Sequence, residues 1–415
     1  MTRFRPHKLL AVLTIATCCS LATTALVGVA GSGASASKAK STIKIGFAVA
    51  LTGTESPVMV PSAAAARAWQ SMVNATGGIG GHPVKVIITD TAGSPAQMLS
   101  TVEHFVNVDH VAAVMTADDV AETAAQPFLT SHNIPVFGMG FTTTIWGVQP
   151  NYFPTFTMIP GTLEGQVLAA KKAGATAFGA VVCAEVAACL QAEGLFKPAA
   201  QSVGLQWTSI VSGAASDPNY NAQCLAMMQG GTNFISIALQ GALVPKLVTD
   251  CNQQGYNGWY GSNANGFVQS LDSIGNAKFA GNAAGFPWWV NNKPVVQFRD
   301  AMKKYQPKTN YHNGETTVIW ADLQLFRATM APVKGAITPA SVMKAYDHIK
   351  NQTLGGLMPQ PITFTAGKGA PNITCQWLFT YHSGNANPVS TRFGAPGNGA
   401  TGGLASSCPP ANLLG

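Results

Sequence analysis

Between Ile43 and Asn265 the chain repeats one unit, a short apolar run followed by a stretch of helix length, and this alternation limits the fold more than any single motif. STIKIGFAVALTG, HPVKVIITD, VAAVMT and IPVFGMG read as strands, with helices in SAAAARAWQSMVNATGG, SPAQMLSTVEHFVNVD and DVAETAAQPFLTSHN between them. After FTMIPG a second series follows the same grammar. TLEGQVLAAKKAG is a helix, ATAFGAVVC a strand, and EVAACLQAEGLFKPAAQSVG a helix interrupted by Pro198. LQWTSIVS, NFISIALQG and WYGSNA are strands around the helices NYNAQCLAMMQGG and VPKLVTDCNQQG. Apolar strands alternating with helices form mainly parallel sheets covered on both faces. Two series imply two similar α/β lobes, and ligands of open α/β sheets lie beyond the carboxyl ends of the strands. The expected working site is a cleft between the lobes.

The glycine cluster GGIGG, residues 77 to 81, tests this reading. A phosphate-binding loop must follow a strand and open a helix. Here the glycines close a helix and precede the strand HPVKVIITD, so they should form a tight turn and bind nothing.

Arg3, Arg5 and Lys8 precede an uncharged stretch from Leu9 to Ala30, and Ala34-Ser35-Ala36 follows. A basic, an apolar and a small-residue region in that order read as a secretory signal over 1–36. The stretch is also long enough to span a membrane, but Ser and Thr crowd it and a flexible linker follows. Cys18, in IATC, raises lipid anchoring as an alternative at this end, although Thr precedes it where Ala or Gly is expected. Removing the signal takes away three basic residues and no acid, so the formal charge falls from +7 to +4. That balance is too mild and too scattered for a nucleic-acid groove. Six cysteines remain: Cys183, Cys189, Cys224, Cys251, Cys375 and Cys408. An even number in an exported chain suggests three disulfides, and no CxxC pair or nearby His argues for a metal.

IKIGFAVALTG, NATGGIGGHPVKVIITD, SPAQMLSTVEHFVNVDHVAAVMT and AETAAQPFLTSHNIPVF together resemble the solute-binding proteins of branched-chain amino acid ABC importers, of periplasmic-binding type I. The resemblance spans most of residues 43 to 380. It implies two Rossmann-like lobes joined by three crossovers, with lobe one holding 43–160 and 290–370, and lobe two holding 161–289 and 371–415. All six cysteines then fall in lobe two. Local pairs Cys183–Cys189, Cys224–Cys251 and Cys375–Cys408 would leave the hinge free, the last clipping the Gly- and Ser-rich tail to the final strand CQWLFTYHSG.

The first strand opens into Thr52, Gly53, Glu55 and Ser56, which offer hydroxyls, amides and a carboxylate. In the family a hydroxyl residue and backbone amides in the third and fourth loops hold a ligand carboxylate. Thr142 matches that hydroxyl, between Phe141 and Thr143, while Asp119 stands where Ser is usual, beside Asp118. Either acid could be a helix N-cap; facing the cleft, it would repel a carboxylate and favour a hydroxyl, amide or amine. The family's Tyr and acid for an α-ammonium are replaced by Leu239-Gln240-Gly241 and Ser262-Asn263-Ala264-Asn265. Trp288 offers a flat apolar surface to a ligand, whereas Trp289 reads as hinge packing. An uncharged or aromatic ligand thus fits better than a zwitterion, although amino-acid-like ligands are the family's prior.

The remaining regions complete the expectation. VVQFRDAMKKYQP and ETTVIWADLQLFRATMAPVKG are helices, and PITFTAGKG a strand and turn. No HExxH or GxSxG occurs, and Glu55, Asp90 and Glu315 have no spacing that demands acid–base work. The reading is an exported, monomeric solute-binding protein of the cell envelope, with an ABC permease as partner and no cofactor. An extracellular ligand sensor without a transport role is the alternative, and an exported enzyme the weaker one.

Overall fold

In the computed structural model, residues 40–140, 144–185, 189, 191–263, 274–275, 277–383 and 393–394 are described. The signal segment, Phe141, Thr142, Thr143 and Cys408 lie outside them.

The first four strands, β1 (Ile43–Val49), β2 (Val84–Asp90), β3 (Ala113–Ala117) and β4 (Val136–Met139), form an all-parallel sheet in the order β2-β1-β3-β4. Helices α1 (Ser56–Ala75), α2 (Pro95–His104) and α3 (Glu122–Ser131) connect them, and a short α4 (Ile145–Val148) follows β4. All five residues of β3 and all four of β4 are buried, as expected where helices cover both faces.

The second sheet runs β11-β10-β9-β8-β7-β5-β6. Helix α5 (Ile159–Lys172) leads into β5 (Ala177–Cys183), followed by α6 (Glu193–Ser202), β6 (Gln206–Gly213), α7 (Asn221–Gln229), β7 (Phe234–Ala238), α8 (Val244–Gln253), β8 (Trp259–Asn263) and β9 (Lys278–Ala283). These strands are parallel. After α9 (Lys293–Tyr305), α10 (Gly314–Met330) and α11 (Pro339–Tyr346), the chain adds β10 (Trp377–His382) antiparallel to β9 and β11 (Phe393–Gly394) antiparallel to β10. The fold is two-lobed, with mainly parallel sheets.

Helices α9 and α10 pack on α1, in the first lobe, although the strands on either side of them belong to the second. Small side chains allow this: Ala63, Ala64, Ala65, Ala66 and Ala68 of α1 are all buried, and the Trp69 Nε1 donates to Gln324 Oε1 at 3.2 Å. The chain therefore passes between lobes three times, and the passages meet. Thr157 N donates to Ala284 O at 3.3 Å, Met158 N to Ile373 O at 2.9 Å, and Thr157 Oγ1 to Cys375 O at 2.6 Å.

Several local readings differ from the structure. The strand β9 and the helix α11 have no counterpart in the sequence reading. PITFTAGKG holds an isolated bridge, Gln352 with Ile362, in place of a strand. Pro198 does not interrupt its helix, which runs through it from Glu193 to Ser202. The glycine turn is a tight reversal: Gly77, Gly78, Gly80 and Gly81 all have positive φ, and Ile79 pairs antiparallel with His82.

Candidate functional site

The carboxyl ends of β1, β2 and β3 carry a network of carboxylates. Asp90, the last residue of β2, accepts from Leu51 N at 2.9 Å, Thr52 N at 3.2 Å, Thr52 Oγ1 at 2.7 Å and Ala92 N at 2.9 Å. Burial works against its charge, but these four bonds outweigh it and hold the carboxyl below the usual carboxylate range. Asp90 thereby shapes the loop after β1. The Thr52 hydroxyl, expected to meet ligand, donates its proton to Asp90, and Gly53 turns the loop at φ +87°. Ser56, half-buried at the start of α1, keeps a hydroxyl with no hydrogen bond among the described residues.

Asp118 follows β3 and is fully buried. Its Oδ1 accepts from Val120 N at 3.1 Å and Ala121 N at 2.9 Å, its Oδ2 from Thr91 Oγ1 at 2.6 Å, and its carbonyl from Glu122 N at 3.0 Å. It closes the turn into α3, with three donors on its carboxylate, which is the capping role open to it in the sequence. Asp119 beside it is half-buried, and its backbone N–H donates to Glu55 Oε2 at 3.1 Å.

Glu55 sits at the N-cap position of α1 yet makes no capping bond to its own helix. Burial, then the charges of Asp119 and Asp118, push its carboxyl up to about 8 against the pull of the Asp119 amide. In α3 the buried Glu122 accepts from Trp146 Nε1 at 3.2 Å, and its carboxylate lies so close to Gly140 that a Cβ there would stand 1.8 Å from Oε1. Sequence reasoning missed this clamp between α3 and α4. The bare glycine after β4 was its one visible signal.

The second lobe reaches this region through Gln240, after β7, whose Nε2 donates to Thr54 Oγ1 at 3.4 Å. The carboxyl ends of β1 and β7 therefore face each other, with Glu55 beside the point of contact. Asn263 ends β8, paired with Asn282 of β9. Trp288 is 1% exposed and packs edge-on against Trp289 at 4.7 Å and parallel to His312 at 6.1 Å. Its carbonyl and that of Val290 accept from Arg299 Nη1. The expected roles of the pair are thus exchanged: Trp288 is core, and Trp289 is the partly exposed ring, 5.5 Å from Phe379. Phe141, Thr142 and Thr143 are outside the described residues.

Two disulfides brace the second lobe, Cys183–Cys189 at the end of β5 and Cys224–Cys251 between α7 and α8. Cys375 is also disulfide-bonded. Among the described residues no group of three or more His, Cys, Asp or Glu is arranged to hold a metal ion, and no helix is long and apolar enough to cross a membrane.

The two lobes and three passages have many structural relatives. A substrate-binding periplasmic protein from Ralstonia solanacearum superposes with a TM-score of 0.69 at 16% identity, covering 81% of this chain and 97% of that one. A fatty acid ABC transporter substrate-binding protein from Thermomonospora curvata gives 0.66 at 16% identity, covering 82% and 88%. An ABC transporter solute-binding protein from R. palustris, in complex with 4-hydroxybenzoate, gives 0.66 at 14% identity, covering 85% and 95%. At these identities the likeness speaks for the fold alone. No curated protein matches the chain. The family model described as periplasmic binding protein matches residues 42–386, and the chain belongs to that family, one of binding proteins and not of enzymes.

Proposed function

We propose that this protein captures a small organic ligand between its two lobes on the outer side of the cell membrane and delivers it to an ABC importer. The observation that carries this reading is the junction of the three passages at Thr157, Met158, Ala284, Ile373 and Cys375, opposite strand ends that meet at Thr54 and Gln240. Connections gathered into one belt allow two rigid lobes to rotate, and a ligand shifts such an equilibrium only through contacts that improve on closing. Neither described disulfide joins the lobes, so both leave the rotation free.

The ligand class follows from departures within the site. Leu239-Gln240-Gly241 supplies no acid for an α-ammonium, and the amides at the start of α3 are already bonded to Glu55 and Asp118. A branched-chain amino acid held with its carboxylate on the first lobe and its ammonium on the second would leave both charged ends poorly paired, at about 1–3 kcal/mol per buried group. The ligand is better read as a small molecule without an α-amino acid head. Phe141, Thr142 and Thr143, Ser56, and Asn263 remain its proposed contacts alongside Thr52, Gly53, Glu55, Asp119 and Gln240. The Arg3–Lys8 segment and the apolar stretch after it support export, and Cys18 remains the one proposed point of lipid attachment.

Small-angle scattering during titration tests the mechanism, with calorimetry against the α-amino acids and against aromatic acids, amides and polyols. A saturating ligand should reduce the radius of gyration. An unchanged radius at saturation would sink the enclosure mechanism, and micromolar binding of leucine, isoleucine or valine would sink the ligand class.

A further inference from the structure

The helix end that would receive a ligand carboxylate in this cleft is filled by carboxylates of the chain itself. At the start of α3, Asp119 N donates to Glu55, Val120 N and Ala121 N donate to Asp118, and Glu122 N donates to the Asp118 carbonyl. Glu55 comes from 64 residues away to do this, leaving its own helix uncapped. Only its Oε2 is used. Oε1 receives no hydrogen bond among the described residues and belongs to a half-buried side chain next to Thr54, where the second lobe makes contact.

The charge balance gives the consequence. Asp118 and Asp119 are the charged groups that act on Glu55, and both disfavour its ionisation. Neither Glu55 nor Asp118 has a Lys or Arg ion partner among the described residues, where the recorded pair is His104 with Asp109. Bringing the second lobe over Glu55 withdraws its carboxyl from water, which penalises its ionisation in the absence of a counter-charge. A ligand carboxylate adds to the repulsion. An alcohol can donate a hydrogen bond but does not change the charge, whereas an ammonium does both.

Resting on the reading of this cleft as a solute site, we propose that its first-lobe half binds the N–H-bearing ammonium of an organic amine, with Glu55 Oε1 as direct acceptor and Asp119 as neighbouring counter-charge. The amine makes its best contacts only when the lobes close, which is the condition for ligand-driven closure. A cation beside Glu55 favours its carboxylate, so binding near neutral pH releases a proton from Glu55 to the buffer.

Two matched sets of probes test this by calorimetry and scattering at pH 7: phenethylamine, phenethyl alcohol and phenylacetate, and cadaverine, pentanediol and glutarate. In at least one set the amine should bind tightest, and its heat should differ between phosphate and Tris by the signature of proton release. Glu55→Gln should weaken that amine by about ten- to a hundredfold, the loss of a charge-assisted hydrogen bond, while retaining the fold. The proposal is overturned by an alcohol or carboxylate binding as tightly as its amine, by an amine affinity indifferent to Glu55→Gln, or by heats independent of buffer. If a carboxylate binds and contracts the protein, the solute-binding reading stands and the amine proposal falls. If no probe binds or contracts it, the amine proposal falls and the solute-binding reading is left to its own titration.

Discussion

Gln240 Nε2 donates to the Thr54 hydroxyl at 3.4 Å, joining the loop after β7 to the loop after β1 across the cleft. The bond is long and exposed, so it contributes about 0.5 kcal/mol or less, yet it runs directly from one lobe to the other. Gln240→Ala should shift the ligand-free protein toward more open forms. Small-angle scattering should record a larger radius of gyration, and superimposable curves for the two proteins would show that this contact does not hold the lips together.

Glu55 makes a second prediction, in which the sign can be fixed. Its carboxyl rises from 4.5 to about 8 on folding, through burial and then Asp119 and Asp118. Below 4.5 both folded and unfolded chains carry the proton, and the group has no effect on stability. As pH rises from 4.5 toward 8, the unfolded chain gives up its proton first, and the folded state loses stability over that window. Glu55→Gln carries no such group. Its melting temperature should match that of the parent near pH 4.5 and exceed it increasingly up to pH 8. A constant difference across this range, read by scanning calorimetry, would refute the assignment.

These pairs show which parts of the molecule are legible in the sequence. The apolar runs of β1, β3 and β5 are readable because burial on both faces leaves little room for polar residues. Strand β9, KFAGNA, has too few branched residues to register, and it forms because β8 and β10 flank it. Helix α11 is short, but its capping box, Thr338 with Ser341, was visible as TPAS. At the site, the loops were placed by their position after strands. The bond from Asp119 to Glu55 was not readable, because nothing local links residues 64 apart. The exchange of Trp288 and Trp289 has the same cause, since a turn decides which ring faces inward and Arg299 fixes that turn.

Asp322, in α10, is wholly buried, and its Oδ1 accepts from the hydroxyl of Thr155, on the first passage between lobes, at 2.7 Å. Burial pushes its carboxyl well above the usual range, against the pull of Thr155 and the Gly138 amide, which favours the protonated acid. Asp322→Asn keeps the acceptor without adding charge and should change stability by less than about 1 kcal/mol. Asp322→Ala leaves the Thr155 hydroxyl unpaired beside a cavity and should cost about 2–4 kcal/mol. Urea denaturation of both variants checks this, and equal losses would remove the argument for a neutral acid.

Gly77 and Gly78 separate backbone strain from contact. Both have positive φ, but a Cβ on Gly77 meets nothing within 4 Å, while one on Gly78 would lie 2.0 Å from the His82 carbonyl. Gly77→Ala should cost about 1–2 kcal/mol, the price of the left-handed conformation alone. Gly78→Ala should cost clearly more, because the reversal into β2 must open. Chemical denaturation gives both values, and equal costs would show that the turn adapts without loss.

The disulfides give the last test, which needs no ligand. Cys183 and Cys189 are six residues apart, and Cys224 and Cys251 are 27 apart. Closing the longer loop removes more freedom from the unfolded chain, so the chain-entropy model assigns about 3.5 kcal/mol to Cys224–Cys251 and about 2 kcal/mol to Cys183–Cys189. The order should appear as a larger loss of stability in the Cys224→Ser/Cys251→Ser double variant than in Cys183→Ser/Cys189→Ser. The short bridge instead shapes the loop after β5, where Glu185 accepts from Ala215 N. Its removal should loosen that loop, seen as faster amide exchange around 184–185 with the rest of the second lobe unchanged. Cys375 is also bonded, and Cys408 is its proposed partner because the other four are taken. Peptide mapping without reductant should return 183 with 189, 224 with 251, and 375 with 408. A free thiol at Cys408 would overturn the third pair, and a reversed stability order would show that strain or residual structure outweighs loop length.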